Sequence, residues 1–217
     1  ELARKLRRSS WGDTFDWDRS GEAVGGCIRG LCLRSSRLDG SVQPDGAVAY
    51  GEWTLVFSNT SPPDQEARMQ VALPPGGVVS RLTLWVNDEE REAAFAGRAE
   101  VREAYDRVVR QKRDPVLVTT AGPDRVLVQC FPVPRDGGTM KIRVGITAPV
   151  DLDGPAAGVL RLPCFTEHNF LLPDSPEHHV WMESPAEIRP LSDTAGLVIE
   201  HPSAQVHAVR GSLPAST

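Results

Sequence analysis

The sequence predicts a mainly β protein: a β-sandwich with one amphipathic helix packed on it, followed by additional β-strands. At least five segments alternate apolar and polar residues with the period of a strand, whereas a single segment has the period of a helix. The 217 residues also include 19 glycines and 18 prolines, which favour many short strands joined by turns over a helical bundle.

Composition limits the function classes. The chain is 40% hydrophobic and 24% charged, as globular domains are, and its net charge of −5 disfavours nucleic acid as a partner. Its apolar runs are far shorter than the roughly 20 residues that span a bilayer. The first residue, Glu1, indicates an excised fragment or processed product, whose targeting signals would lie elsewhere.

Three regions are predicted along the chain. Residues 1–46 form an irregular N-terminal segment with at most one short strand, at 28–33. Residues 47–150 form the β-sandwich with its helix near 98–113. Residues 151–217 form a C-terminal β extension that either completes the sandwich or stacks beside it.

Alternating side chains locate the strands. Trp53, Leu55 and Phe57 share one face of a strand at 50–57 and are predicted to point into the core. Residues 87–90 are a predicted hairpin turn, so Glu89 and Glu90 are expected to be solvated at its tip. Further strands are predicted at 68–73, 82–86, 91–95, 116–119, 126–131 and 140–148, and in the C-terminal region at 159–162, 180–183, 197–200 and 205–210.

The helix is defined by one apolar stripe. Val101, Ala104, Tyr105 and Val108 recur at the spacing of a single helix face, and Asp114-Pro115 ends the pattern. We expect this stripe to pack against a sheet, with Tyr105 as its largest contributor. A basic run could bind phosphates, but interleaved acidic residues favour a solvated helix face; the run consists of Arg107, Arg110, Lys112 and Arg113.

A family resemblance rests on four features between residues 57 and 150. A strand ends in Asn59, an apolar stretch closes on Leu73-Pro74-Pro75, the helix spans 99–108, and a hairpin covers 137–144. This pattern resembles the VIT domain, named for vault protein and inter-alpha-trypsin inhibitor heavy chains. The resemblance implies a β-sandwich with a packed helix, usually before a von Willebrand type A domain in secreted or cell-surface proteins, and it implies no catalytic residues.

Two stretches resemble one particular group of VIT domains. Residues 114–123 and 145–149 look similar to VIT domains in bacterial membrane proteins linked to exosortase (PEP-CTERM) sorting systems. The resemblance implies a domain outside the membrane. The basic N-terminal residues 4–8 are interpreted either as a solvated tail or as a juxtamembrane cluster near a membrane surface.

Metal-ligating residues occur in three places. All five histidines lie in the last 50 residues, but none has a helix-spaced ligand motif, and Pro173 and Pro176 favour surface or loop positions over a His/Glu metal site. Two carboxylate groups resemble the start of a calcium loop but lack its closing Glu. The histidines are His168, His178, His179, His201 and His207; the carboxylates are Asp13, Asp16 and Asp18, and Asp151 with Asp153.

Cysteine, asparagine and tryptophan residues raise separate expectations. A Cys27–Cys32 disulfide is open but not favoured, and Cys130 is interpreted as a small buried apolar residue. Asn59-Thr60-Ser61 is formally a glycosylation acceptor. Among the tryptophans, Trp85 could contact the helix or a partner, whereas Trp11 and Trp17, with Phe15, could dock on the β body or mark a contact site.

The favoured function is a non-enzymatic protein-interaction or scaffolding module of a larger cell-surface or membrane-anchored protein, located in the periplasm or at the cell surface. No G-x-S-x-G, P-loop or G-x-G-x-x-G motif occurs, so no catalytic residue, cofactor or metal is predicted. The expected partners are other proteins or other domains of the parent chain. The alternative is a metal-dependent enzyme that uses C-terminal His, Glu and Asp residues.

Overall fold

The prediction of a mainly β fold is confirmed. The computed structural model describes residues 24–86, 89–92, 116–154, 157–172, 177–191 and 196–214, and fourteen strands lie in these ranges. The predicted helix near 98–113 lies outside the described residues. In chain order the strands are β1 (Leu31–Gln43), β2 (Val48–Asn59), β3 (Gln65–Ala72), β4 (Val78–Val86), β5 (Glu89–Glu92), β6 (Val116–Gly122), β7 (Arg125–Val133), β8 (Gly138–Pro149), β9 (Asp151–Leu152), β10 (Gly158–Val159), β11 (Cys164–His168), β12 (Glu177–Ser184), β13 (Leu197–Ser203) and β14 (Val206–Pro214).

The strands form two main sheets. The larger sheet has eight strands in the order β13-β14-β12-β1-β2-β8-β4-β5, and the smaller has four in the order β11-β3-β7-β6. All pairs are antiparallel except β1 with β12, where Ser36 lies opposite His178. Strands β9 and β10 make a separate short hairpin.

Period-2 alternation explains which face of each strand is buried. Trp53, Leu55 and Phe57 are 2%, 1% and 0% exposed, and they pack with alternate residues of the smaller sheet in one core, as predicted. Cys130 belongs to this core, where burial raises the pKa of its thiol, so it behaves as the apolar residue that the sequence predicts.

The N-terminal region contains more strand than predicted. Residues 28–33 are predicted to hold the only strand before residue 47, whereas β1 runs from Leu31 to Gln43. The sequence pattern does not reveal the full length of β1, because its outward face is polar and solvated. A register shift between Leu33 and Ser35 also interrupts the alternation of apolar and polar residues.

The C-terminal region contributes to both sheets. Strand β11 pairs with β3 in the smaller sheet, whereas β12 extends the larger sheet beside β1 and is followed by β14 and β13. No described helix is both long and apolar enough to cross a membrane.

Two buried leucines lie outside the core. Val116 and Val118 of β6, like Val126 and Val128 of β7, point into the sandwich, so Leu117 and Leu127 point out of it. Both are nevertheless buried, at 3% and 1% exposure. The outer face of the smaller sheet is therefore covered at this point.

Candidate functional site: the Trp85 face of the larger sheet

A charged and aromatic surface lies on the outer side of the larger sheet. Strands β2, β4, β5 and β8 place alternate residues there because their other alternate residues fill the core. We call this surface the Trp85 face; it consists of Tyr50, Glu52, Arg81, Trp85, Glu90, Lys141 and Arg143.

Two cations approach the indole of Trp85. The Nζ atom of Lys141 lies 3.8 Å from the ring centroid, and Cζ of Arg143 lies 4.8 Å from it. Both distances are within the range of cation–π attraction. Within the part of the chain that the structure describes, the Lys141 ammonium forms no ion pair, so its charge remains available to an incoming group.

Two carboxylates hold the arginines of this face in place. Glu52 lies 3.1 Å from Arg81 and 3.5 Å from Arg143, and Glu90 lies 3.4 Å from Arg143. Glu90 is exposed, as predicted, but it lies in a strand rather than in the turn, because β5 begins at Glu89 and Glu90 pairs across the ladder with Trp85. Each pair is partly exposed and contributes little stability alone, but the shared network fixes the positions of the side chains.

A tyrosine borders the network. The hydroxyl of Tyr50 donates to Glu52 at 2.9 Å, and partial burial together with this carboxylate raises the pKa of Tyr50. A Cβ on Gly145 would lie 2.7 Å from that hydroxyl oxygen, so only glycine leaves space for the ring here. The phenol therefore stays protonated and fixed.

The Trp85 face is suited to binding a partner rather than to catalysing a reaction. It combines a rigid aromatic surface, one free ammonium and two oriented guanidinium groups, and such groups are typical of protein contact sites. Beneath it, Thr83 is fully buried, and no described residue is hydrogen-bonded to its hydroxyl.

The histidines lie in strands rather than in loops, so the loop alternative is wrong, whereas His179 and His201 are exposed, as the surface alternative predicts. His178 is buried in β12, where its Nδ1 and the hydroxyl of Ser36 are hydrogen-bonded, and Trp53 Nε1–H donates to the same oxygen at 2.7 Å. His168 ends β11, and its Nδ1 lies 2.8 Å from the carbonyl oxygen of Phe170. Pro173 and Pro176 lie outside the described residues.

The structure does not bring the candidate metal ligands together. In the described ranges, no group of three His, Cys, Asp or Glu side chains could share an ion. His179 pairs with Ser212, Asp151 and Asp153 are exposed beside the β9–β10 hairpin, and His201 contacts His207. Asp13, Asp16 and Asp18 lie outside the described residues, as do Trp11, Phe15, Trp17 and the basic residues 4–8.

The structure also answers the questions of the disulfide and of the glycosylation signal. Cys27 and Cys32 are free thiols, so the disulfide left open is not formed. The glycosylation signal is not usable in the folded chain, because Asn59 is fully buried. Its Nδ2, the atom that would carry a glycan, donates to the carbonyl oxygens of Pro63 and Val133.

Sequence reasoning missed the Trp85 face as a unit. The signal is present in β8, where Lys141 and Arg143 alternate with core residues, and in β4, where Trp85 alternates with Leu84. Strands β2, β4 and β8 are far apart in sequence, however, and the pairing of β2 with β8 and of β8 with β4 brings their residues together.

Comparison with known proteins gives one family and a set of distant structures. The family described as vault protein inter-alpha-trypsin domain matches residues 36–146, just over half of the chain. No curated protein matches. Two solved structures are similar to the chain over most of its length: an M1 zinc metallopeptidase from Deinococcus radiodurans (16% identity, TM-score 0.44) and native yeast LTA4 hydrolase (10% identity, TM-score 0.45).

These structural matches cover 85% and 86% of this chain but only 39% and 28% of the other chains. The chain thus spans well under half the length of these enzymes.

Proposed function

Because the chain belongs to the VIT domain family, whose matched region includes the whole Trp85 face, we propose that it is a non-enzymatic protein-interaction module that binds its partner through that face. The observation that carries the proposal is the indole of Trp85 with a free ammonium 3.8 Å from its centroid, on the solvent side of a rigid sheet. Tryptophan and arginine are the residues that most often dominate binding energy at protein interfaces.

The charges of the face define the partner. Lys141, Arg81 and Arg143 exceed the two glutamates by one positive charge, and Lys141 lacks a carboxylate in the described structure. An acidic side chain beside an apolar or aromatic one would satisfy both the ammonium and the indole. The partner is thus a protein surface, either of another protein or of another domain of the parent chain.

The proposed setting is a larger protein at the cell surface or in the periplasm, attached to the membrane. Support comes from the similarity of residues 114–123 and 145–149 to VIT domains of bacterial membrane proteins with exosortase-linked sorting. In that setting, the basic residues 4–8 would lie near anionic headgroups.

We further propose that a helix at 98–113 covers the outer face of the smaller sheet. Leu117 and Leu127 are buried there outside the core, and the chain from 93 to 115 connects β5 to β6, the strand that carries Leu117. The stripe of Val101, Ala104, Tyr105 and Val108 supplies apolar surface of the required kind.

Substitution of Tyr105 tests this helix. We expect Tyr105→Ala to lower the free energy of unfolding by about 3–5 kcal/mol, as other buried aromatic truncations do. Arg110→Ala on the opposite helix face should cost well under about 1 kcal/mol, because exposed ion pairs contribute little. Chemical denaturation of the two variants measures the difference, and equal losses would show that the stripe is misassigned.

A double-mutant cycle locates the contact. Tyr105→Ala and Leu127→Ala should be coupled by at least about 0.5 kcal/mol, the range for residues in contact. Tyr105→Ala and Val209→Ala, on the distant strand β14, should be additive. Coupling to Val209 but not to Leu127 would place the helix on the larger sheet instead.

Photo-crosslinking tests the interaction function itself. With p-benzoylphenylalanine in place of Trp85, we expect one discrete protein adduct in the native host, and Lys141→Glu in the same chain should abolish it. The control is the same amino acid at Val198, which is 51% exposed on the distant edge strand β13. The absence of an adduct at position 85, or equal adducts at both positions, would contradict the proposal.

A further inference from the structure

Two histidines meet at the end of the sheet most distant from the Trp85 face. His201 belongs to β13 and His207 to β14, and the two strands form a hairpin with residues 204–205 at its turn. Among the described strands, β13 pairs only with β14 and forms one edge of the larger sheet. His201 is exposed and His207 is partly exposed, so solutes can reach the pair from solvent.

An irregularity in the ladder brings the two rings together. Glu200 pairs with Ala208 and Ser203 pairs with Val206, so His201 and Pro202 lie opposite the single residue His207. This bulge turns His201 toward its neighbour. The ring centroids are 5.1 Å apart, with an interplanar angle of 83°.

This separation suits two ligands of one ion. Zinc binds imidazole nitrogen at about 2.0–2.1 Å, so two nitrogens on one ion are at most about 4.2 Å apart. A centroid separation of 5.1 Å is compatible with this spacing of the nitrogens. The nearest carboxylate along the strand, Glu200, is already ion-paired with Arg210 and is not needed as a ligand.

A second observation concerns His207 itself. Its Nδ1 is buried, and no described residue is hydrogen-bonded to it. A buried polar nitrogen without a partner is costly, and a turn of the ring that lets the Nδ1 lone pair of the Nε2–H tautomer coordinate an ion would remove that cost. The two histidines therefore have the spacing of two ligands of one ion, and one of their ring nitrogens lacks a hydrogen-bond partner among the described residues.

We propose that His201 and His207 form a two-histidine binding site for Zn²⁺ or another late first-row divalent cation. Imidazole is the ligand that zinc, copper and nickel ions share, whereas magnesium and calcium prefer oxygen. Two protein ligands leave two tetrahedral positions for water or for a group from a second molecule. The ion fastens the hairpin beside its turn, and this role is independent of the Trp85 face.

Calorimetric titration with ZnCl₂ tests the site on the whole chain, with any polyhistidine tag removed. We expect one ion per chain, with an affinity that falls at least about tenfold in His201→Ala and in His207→Ala. His179→Ala, which removes another exposed strand histidine, should bind zinc as the unaltered chain does. Binding should weaken from pH 7.5 to pH 5.5 because only neutral imidazole coordinates the ion.

NMR signals of the imidazole rings test the same site in the unaltered chain. Zinc should shift the ring signals of His201 and His207 and leave those of His168 and His178 in place. Loss of zinc binding in both hairpin variants, with these shifts, supports the site. The proposal is overturned if no binding is detected at about 1 mM zinc, a concentration that would reveal even a weak site. It is also overturned if zinc binding is unchanged in His201→Ala and in His207→Ala.

Discussion

Trp53→Ala is expected to lower the free energy of unfolding by about 3–5 kcal/mol, the usual cost of removing a buried indole. Trp53 is 2% exposed, stacks on Phe165 at 4.7 Å between centroids, and donates its N–H to Ser36. The residue thus joins β2 to the smaller sheet and to β1. Urea denaturation followed by far-UV circular dichroism measures the loss.

Two variants separate packing from hydrogen bonding at Trp53. Trp53→Phe keeps an aromatic ring but leaves Ser36, which is 1% exposed, without its indole donor, at a cost of about 1–3 kcal/mol. Thr54→Ala on the opposite face of β2 should cost less than about 1 kcal/mol. If Trp53→Ala cost no more than Thr54→Ala, the core assignment of β2 would be wrong.

Asn59→Ala is expected to cost about 3 kcal/mol or more, because several polar groups would lose their partner at once. The side chain is fully buried and connects three segments: Nδ2 donates to Pro63 at 2.9 Å and to Val133 at 3.1 Å, and Oδ1 accepts from Ser61 N–H at 2.9 Å. Thermal and urea denaturation of the variant measure the effect.

The isosteric change Asn59→Asp is the sharper test of that account. It keeps the volume but replaces the Nδ2 donor with a carboxylate oxygen facing two carbonyls, so it should destabilise at least as much as alanine. Thr60→Ala, at an exposed neighbour, should change stability by no more than about 0.5 kcal/mol. A harmless Asn59→Asp would mean that these hydrogen bonds are not formed in solution.

The sequence predicts the strands whose two faces differ most. In β2 and β8, core residues alternate with outward-facing residues that are mostly polar, and both strands lie where the pattern places them. The same reasoning fails for β1, whose central residues Arg34, Ser35 and Ser36 are polar although Ser36 is 1% exposed. Its burial depends on Trp53 and His178, two partners that no local pattern can identify.

The candidate sites depend on pairing between distant strands. Trp85 and Lys141 are each visible as outward residues, yet their contact needs the register of β4 on β8. The histidines show that closeness along the chain can also mislead. All five lie within the last 50 residues of the sequence, whereas the structure distributes them over four strands and brings the rings of His201 and His207 into contact. Spacing along the chain predicts a site only where one element carries all of its residues.

The most direct test of the central claim is the affinity of the protein captured at position 85 for variants of the Trp85 face. We expect Trp85→Ala to weaken binding by at least about 30-fold, which corresponds to about 2 kcal/mol for a hot-spot residue. Lys141→Glu should weaken it further at low salt, and Val198→Ser on the distant edge should leave it unchanged. Unaltered affinity in Trp85→Ala, together with weaker binding in Val198→Ser, would contradict the account and move the contact surface to the β13 edge.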